Sequence, residues 1–245
     1  MTTPTAAAAV WRQLPDEVVR AMVQIRHKVT GAVLLEVEGD SLANRPLIAK
    51  KLMGANLAGL DLSGSNLSNS DLRETDMTGA TLERTVLNAV GLNDADLSHA
   101  NLTRADFTDS HLEGADFSYS CMQGANLRYC KAEGAIFVKT DLAGADLSMA
   151  DLRGNLQDAD LRKADLRGAN LMGANMIGCN LEGASLKGAI MTCAHMSHAK
   201  VRGMIDVYGN KKIDSDLEGA TKSRTKSKSQ ASKTAPAWWQ FWKRA

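Results

Sequence analysis

Ala55-Asn56-Leu57-Ala58-Gly59 decides the fold, because the chain keeps saying it again: Ala145-Asp146-Leu147-Ser148-Met149, Ala159-Asp160-Leu161-Arg162-Lys163, Ala169-Asn170-Leu171-Met172-Gly173. A bulky apolar residue stands at every fifth place from Leu52 to Leu152, and again at every fifth place from Leu156 to Val201. Of these 31 positions only Ala132 and Val201 are not Leu, Met or Phe. Two residues before each, the side chain is small in nearly every unit (Ala55, Ser65, Thr75, Cys130, Ala184), with Lys50 and Leu60 as exceptions. Self-similarity at a fixed short period is the mark of a stacked-repeat architecture.

A period of five suits neither an amphipathic helix nor a half-buried strand. The small and bulky residues of one unit lie two apart, the spacing that points both to the same side of an extended chain. The residue between them and the two that follow must face outward or turn. Gly, Asn or Asp often fills the last place (Gly59, Gly64, Asn69, Asp94, Asp109, Gly124, Gly183). Those residues tolerate the positive φ that a type II turn requires. Each unit therefore reads as a very short strand and a sharp corner.

Over about 150 of its 245 residues the sequence resembles the pentapeptide-repeat family. The resemblance implies an all-β solenoid in which four units make one turn of a right-handed, four-sided parallel β-helix. It implies a little under eight coils, a rod about 35–40 Å long at ordinary strand spacing. Bulky side chains would stack inside every twenty residues, as at Leu52, Leu72, Leu92 and Leu112.

Four segments follow: an N-terminal segment over 1–49, the repeat region over 50–219, a Lys/Ser-rich flexible linker over 220–236 and an aromatic, basic motif over 237–245. In the first, Asp16 is placed to cap a helix over Glu17–Thr30, with Val18, Met22, Ile25 and Val29 on one face and Gly31 ending it. Val33–Val37 reads as a strand. A solenoid end exposes strand edges and bare core, so this segment is expected to cap the coil. Its alternative use is to bind a partner helix or a second copy of the chain at a coil end.

Charge is balanced overall, at +1, but not along the chain. Residues 50–203 carry 15 basic and 19 acidic groups, and residues 204–245 carry 9 and 4. The N-terminus shows no signal-peptide pattern, and no apolar run approaches membrane-spanning length. The four cysteines lack disulfide or zinc spacing, and Cys130 and Cys179 fall at the small inward place, which suits a reducing cytoplasm.

Two irregularities interrupt the repeat. Leu152 and Leu156 are four apart, so the unit around Gly154 has lost a residue, either as a tightened corner or as a kink that redirects a face. Ala132 is small where a bulky residue belongs, and Phe137 in the same coil is placed to fill the space. Outward positions are where function would lie. Asp76, Asp96 and Asp116 would form an acidic ladder on one face, held by local backbone bonds or by a partner. Ile136 is its next rung, and with Tyr119, Val138 and Ile177 it makes a small apolar surface patch. Cys193, His195 and His198 are spread over two faces, whereas a metal needs converging ligands.

Nothing in the sequence has the form of a catalytic constellation, a cofactor fingerprint or a metal motif. The expectation is a non-enzyme without catalytic, cofactor or metal residues, in a bacterial cytoplasm, with a position peripheral to the inner membrane as the alternative. Residues Trp238, Trp239, Phe241 and Trp242, with Lys243 and Arg244, end the chain after the linker. They read as a docking peptide for a protein partner, as an interfacial membrane anchor, or as a segment that folds back on the rod. Two functions are in view: a scaffold or interaction module recruited through the tail, and, from the resemblance, a mimic of duplex DNA that binds a type II topoisomerase such as gyrase. DNA carries about one charge per 1.7 Å, which the mildly acidic rod falls far short of. Direct nucleic-acid binding is not expected.

Overall fold

The computed structural model describes residues 21–211. Each five-residue unit turns the chain through one corner. At Leu52–Ala55 the corner is closed by Ala55 N–H donating to the Leu52 carbonyl at 2.9 Å, with Gly54 at φ 67° between them. The same left-handed residue recurs two places after the bulky one, as glycine at Gly59 and Gly64 but also as Arg84, Tyr119 and Met149. Cooperative stacking therefore holds non-glycine residues in a conformation they visit rarely by themselves.

Four corners make a coil, and coils stack in parallel. Backbone bridges join residues 20 apart, from Pro46 with Asn66 to Lys131 with Asp151. Leu52, Leu72, Leu92 and Leu112 are each at most 1% exposed, and inward Ala, Ser, Thr and Cys residues fill the gaps beside them. Phe117 stacks on Phe137 at 5.0 Å and meets Phe107 edge-on at 5.9 Å. Ala132 and Phe137 are both buried in one coil, as a large-for-small pairing requires. Leu42 and Leu47, at 2% and 3% exposure, continue the inward columns upstream of Leu52. Arg45 and Lys50 stand at the small place there, which hides the repeat from the sequence.

Inward hydroxyls face an apolar core and must find acceptors. Ser110 and Thr140 donate to the carbonyls of Leu87 and Phe117, 23 residues back, at 2.6 and 2.7 Å. The Ser120 hydroxyl is buried and has no partner among the described residues. Ser120→Ala is therefore expected to leave stability unchanged or raise it slightly. Thr140→Val, which deletes a satisfied bond, should cost about 1 kcal/mol. Urea denaturation of the two variants tests the contrast, and equal losses would contradict it.

The register break is a tightened corner. Bridges run 19 residues apart from Ile136–Asn155 to Asp151–Asn170, then return to 20 at Asn155–Asn175. Gly134 N–H bonds the Arg153 carbonyl, and Asn175 N–H bonds that of Gly154. Arg153 thus keeps its corner role and Gly154 holds the small inward place, so the residue deleted is the left-handed one. The corner closes over fewer atoms, with Gly154 N–H on the Leu152 carbonyl at 2.8 Å.

The N-terminal cap is a hairpin, not the helix the sequence suggested. Strand β1 (Met22–His27) pairs antiparallel with β2 (Val33–Glu38) and with β3 (Ala55–Asn56) of the first coils. The expected positions Glu17 to Arg20 lie outside the described residues. The helical reading placed Met22, Ile25 and Val29 on one buried face, yet Met22 and Val29 are 45% and 80% exposed and only Ile25 is buried. The inward alternation is Val23, Ile25, His27. A strand wins because the coil edge offers unpaired backbone that a helix cannot satisfy: Arg26 and His27 pair with Asn56 and Ala55, and Lys28 N–H reaches the Gly54 carbonyl. Gly31, at φ 70°, turns the hairpin. At the other end Asp206 takes an inward place at 3% exposure, and its Oδ1 accepts the amides of Tyr208 and Asn210. The chain reverses there and lays Lys211 antiparallel to Ile205.

Candidate interaction surface

Outward Asp and Asn residues are mostly occupied by their own corners. Oδ1 of Asp76, Asp96 and Asp116 accepts the amide two residues on, from Thr78, Ser98 and Ser118, at 3.0, 2.9 and 2.8 Å. The three carboxylates are neighbours across successive coils, as the twenty-residue spacing implied. Burial raises the Asp96 carboxyl, but hydrogen bonds from Ser98 and Thr78 and the charge of Lys28 together outweigh it, so the net effect holds the group below its ordinary range. The acidic ladder therefore has a structural task at every rung.

Four other aspartates are paired with the arginine two residues later. Arg73, Arg153, Arg162 and Arg167 bridge Asp71, Asp151, Asp160 and Asp165 at 2.7, 2.7, 2.6 and 2.5 Å. Hydrogen bonds from the guanidiniums, working against burial, hold the carboxyls of Asp71, Asp151 and Asp165 below the usual carboxylate range. The recurring Asp-Leu-Arg triplet is the sequence signal for these pairs.

The apolar patch sits on the face that continues the acidic ladder. Ile136 bridges Asp116, and the column through Val138 runs on by way of Gln157 to Ile177. Tyr119 is 52% exposed and Ile177 37%, while Ile136 and Val138 are half-buried. Tyr119 does not stand alone. His99 stacks on its ring at 5.1 Å, and the Lys139 ammonium lies 5.4 Å from its centroid. Those three occupy one corner column, twenty residues apart, a relation legible in the spacing.

Cys193 and His198 lie at left-handed corners and His195 in the face between them. No group of three His, Cys, Asp or Glu side chains converges to hold a metal among the described residues. Cys130 and Cys179 are buried, and burial pushes both thiols up to about 12, so they stay protonated and inert at neutral pH. No helix among the described residues is long and apolar enough to cross a membrane. The tail residues Trp238, Trp239, Phe241, Trp242, Lys243 and Arg244 lie outside the described residues, as does the linker over 220–236.

The family model for pentapeptide repeats matches the chain in 8 copies, over residues 51–88, 92–128, 120–154, 155–192 and 169–203. Among solved structures, trypsin-treated QnrB1, a plasmid-mediated fluoroquinolone resistance protein, is similar at 19% identity and a TM-score of 0.46, covering 73% of this chain and 90% of that one. HetL of the cyanobacterium Nostoc sp., a pentapeptide repeat protein involved in heterocyst differentiation regulation, is 25% identical over 69% of this chain and 92% of its own, with a TM-score of 0.22. A pentapeptide repeat protein of the Arabidopsis thaliana thylakoid lumen is 30% identical over 49% of this chain and 72% of its own, with a TM-score of 0.23. No curated protein matches the chain.

Proposed function

Because the chain belongs to the pentapeptide-repeat family, whose members fold as right-handed β-helices, we propose that it is a non-enzymatic scaffold whose rod presents flat faces to protein partners and whose aromatic tail recruits or anchors it. One observation carries the reading. Along the rod the outward Asp and Asn side chains are mostly committed to their own corners or to a neighbouring arginine, whereas the face with Tyr119, Ile136, Val138 and Ile177 exposes apolar surface. A rigid face with a small apolar island is suited to recognition. The cytoplasm, with attachment to a membrane surface through the tail as the alternative, is the proposed location.

The test uses the full chain. The Trp239→Ala/Trp242→Ala variant is expected to lose its co-purifying partners, or its membrane association, with the melting temperature unchanged. Desolvated Trp anchors contribute roughly 2 kcal/mol or more each, so losing two should weaken docking at least about a hundredfold. Attachment to anionic lipid should fade as salt screens the basic linker, and a protein pocket for the aromatics should tolerate salt better. Unchanged partners and unchanged localisation would refute the role of the tail.

A second reading, binding to gyrase as a mimic of DNA, draws on the stacked carboxylates of Asp76, Asp96 and Asp116. Their bonds to Thr78, Ser98 and Ser118 and the arginine pairs elsewhere weigh against it. Under the scaffold reading, micromolar protein leaves gyrase supercoiling unchanged. Inhibition that disappears when the three aspartates become asparagine would replace the scaffold with the mimic.

A further inference from the structure

We propose that the C-terminal end of the rod carries an anion site for a phosphorylated ligand, in a cleft walled by Lys163, Arg167 and Lys187. The cleft is open to solvent, with a volume of about 660 Å³, and is also lined by Ala164, Ser185 and Ile205. Gly183 and Gly209 open its sides. The Lys163 stem runs over Gly183, its Cγ 3.5 Å from where a β-carbon would stand, and the Lys187 stem runs beside Gly209 at 3.9 Å. Glycine at these places leaves room for the lysine stems to lie along the backbone beside the cleft.

The charge here differs from the rest of the rod. Its one lining carboxylate, Asp165, is taken by Arg167 through both Nε and Nη2. Lys163 and Lys187 are exposed and form no ion pair among the described residues. That pairing also selects the ligand. A carboxylate is best held by the planar guanidinium fork, and the Arg167 fork is already occupied. What is left is compact ammonium charge, with the Ser185 and Tyr208 hydroxyls close by. Such donors suit a tetrahedral, multiply charged oxyanion, which means a phosphate ester or pyrophosphate.

The experiment is amide-resolved NMR on the full chain, titrated with sodium pyrophosphate at low ionic strength. Saturable shifts at Ser185 and Gly209 are expected, at least tenfold weaker in Lys163→Gln/Lys187→Gln, whose melting temperature should match the wild type because both side chains are exposed. Reading those two amides separates the cleft from the lysines of the linker. A parallel arm uses phosphatidic acid vesicles against phosphatidylcholine. Shifts with pyrophosphate assign a soluble ligand, and a response to phosphatidic acid alone, lost in the variant, assigns a lipid headgroup to the same cleft. No shift at Ser185 and Gly209 with either probe, or equal binding by the variant, overturns the proposal.

Discussion

Leu102→Asp is expected to destroy the coil, while Arg104→Asp two residues along leaves it standing. Leu102 is fully buried, in a column with Leu82 before it and Met122 after it. A carboxylate there would meet only apolar side chains, and the narrow core leaves no room for water or a counter-charge. Burying an unpaired charge is among the few single changes that exceed about 5 kcal/mol. In a solenoid each coil is stabilised by its neighbours, so the damage spreads to the coils on either side. Arg104 is exposed and left-handed, at φ 57°, a conformation that aspartate adopts more readily than arginine does. Circular dichroism melting of the two variants decides the matter, and equal melting temperatures would mean that inside and outside have been exchanged.

Gly154→Ala is expected to be nearly as damaging, for a reason specific to one corner. A β-carbon at Gly154 would stand 2.3 Å from the Ala135 carbonyl oxygen, which is backbone and cannot swing aside. The expected cost is about 3 kcal/mol or more, at the upper end of overpacking penalties. Gly154 does not have a positive φ, so the cause is close approach and not backbone conformation. This yields a rescue. Inserting one asparagine between Arg153 and Gly154 restores the left-handed residue and the five-residue unit. Alanine at the small place should then be tolerated there, as it is at Ala150 and Ala159. Substitution equally damaging with and without the insertion would show that the shortened corner is not what demands glycine.

The comparison of sequence with structure turns on which interactions repeat. The five-residue spacing of Leu52, Leu57 and Leu62 exposed the inward columns, and the glycines and asparagines two places on exposed the corners. Both follow from sequence because each unit makes the same contacts with the coil before and after it, so local pattern and long-range contact share one period. The acidic ladder and the rung from Asp116 to Ile136 were legible for the same reason. The Asp-Leu-Arg triplet marks the arginine pairs, but the reach of the guanidinium to the carboxylate is side-chain geometry that the five-residue period does not encode.

The sequence alone determined the solenoid, its inward residues and the position of its register break. Tertiary structure decided the ends and the contacts between coils. The period stops at both ends, where the chain answers to exposed edges and not to its own pattern. Met22–His27 therefore became a strand against Ala55–Asn56 despite its helical spacing. Only the stacked coils could show that Gly154 faces the Ala135 carbonyl, or that Lys163, Arg167, Lys187 and Ser185 line one cleft. Those contacts join residues about a coil apart, and their geometry is set by the corners between them.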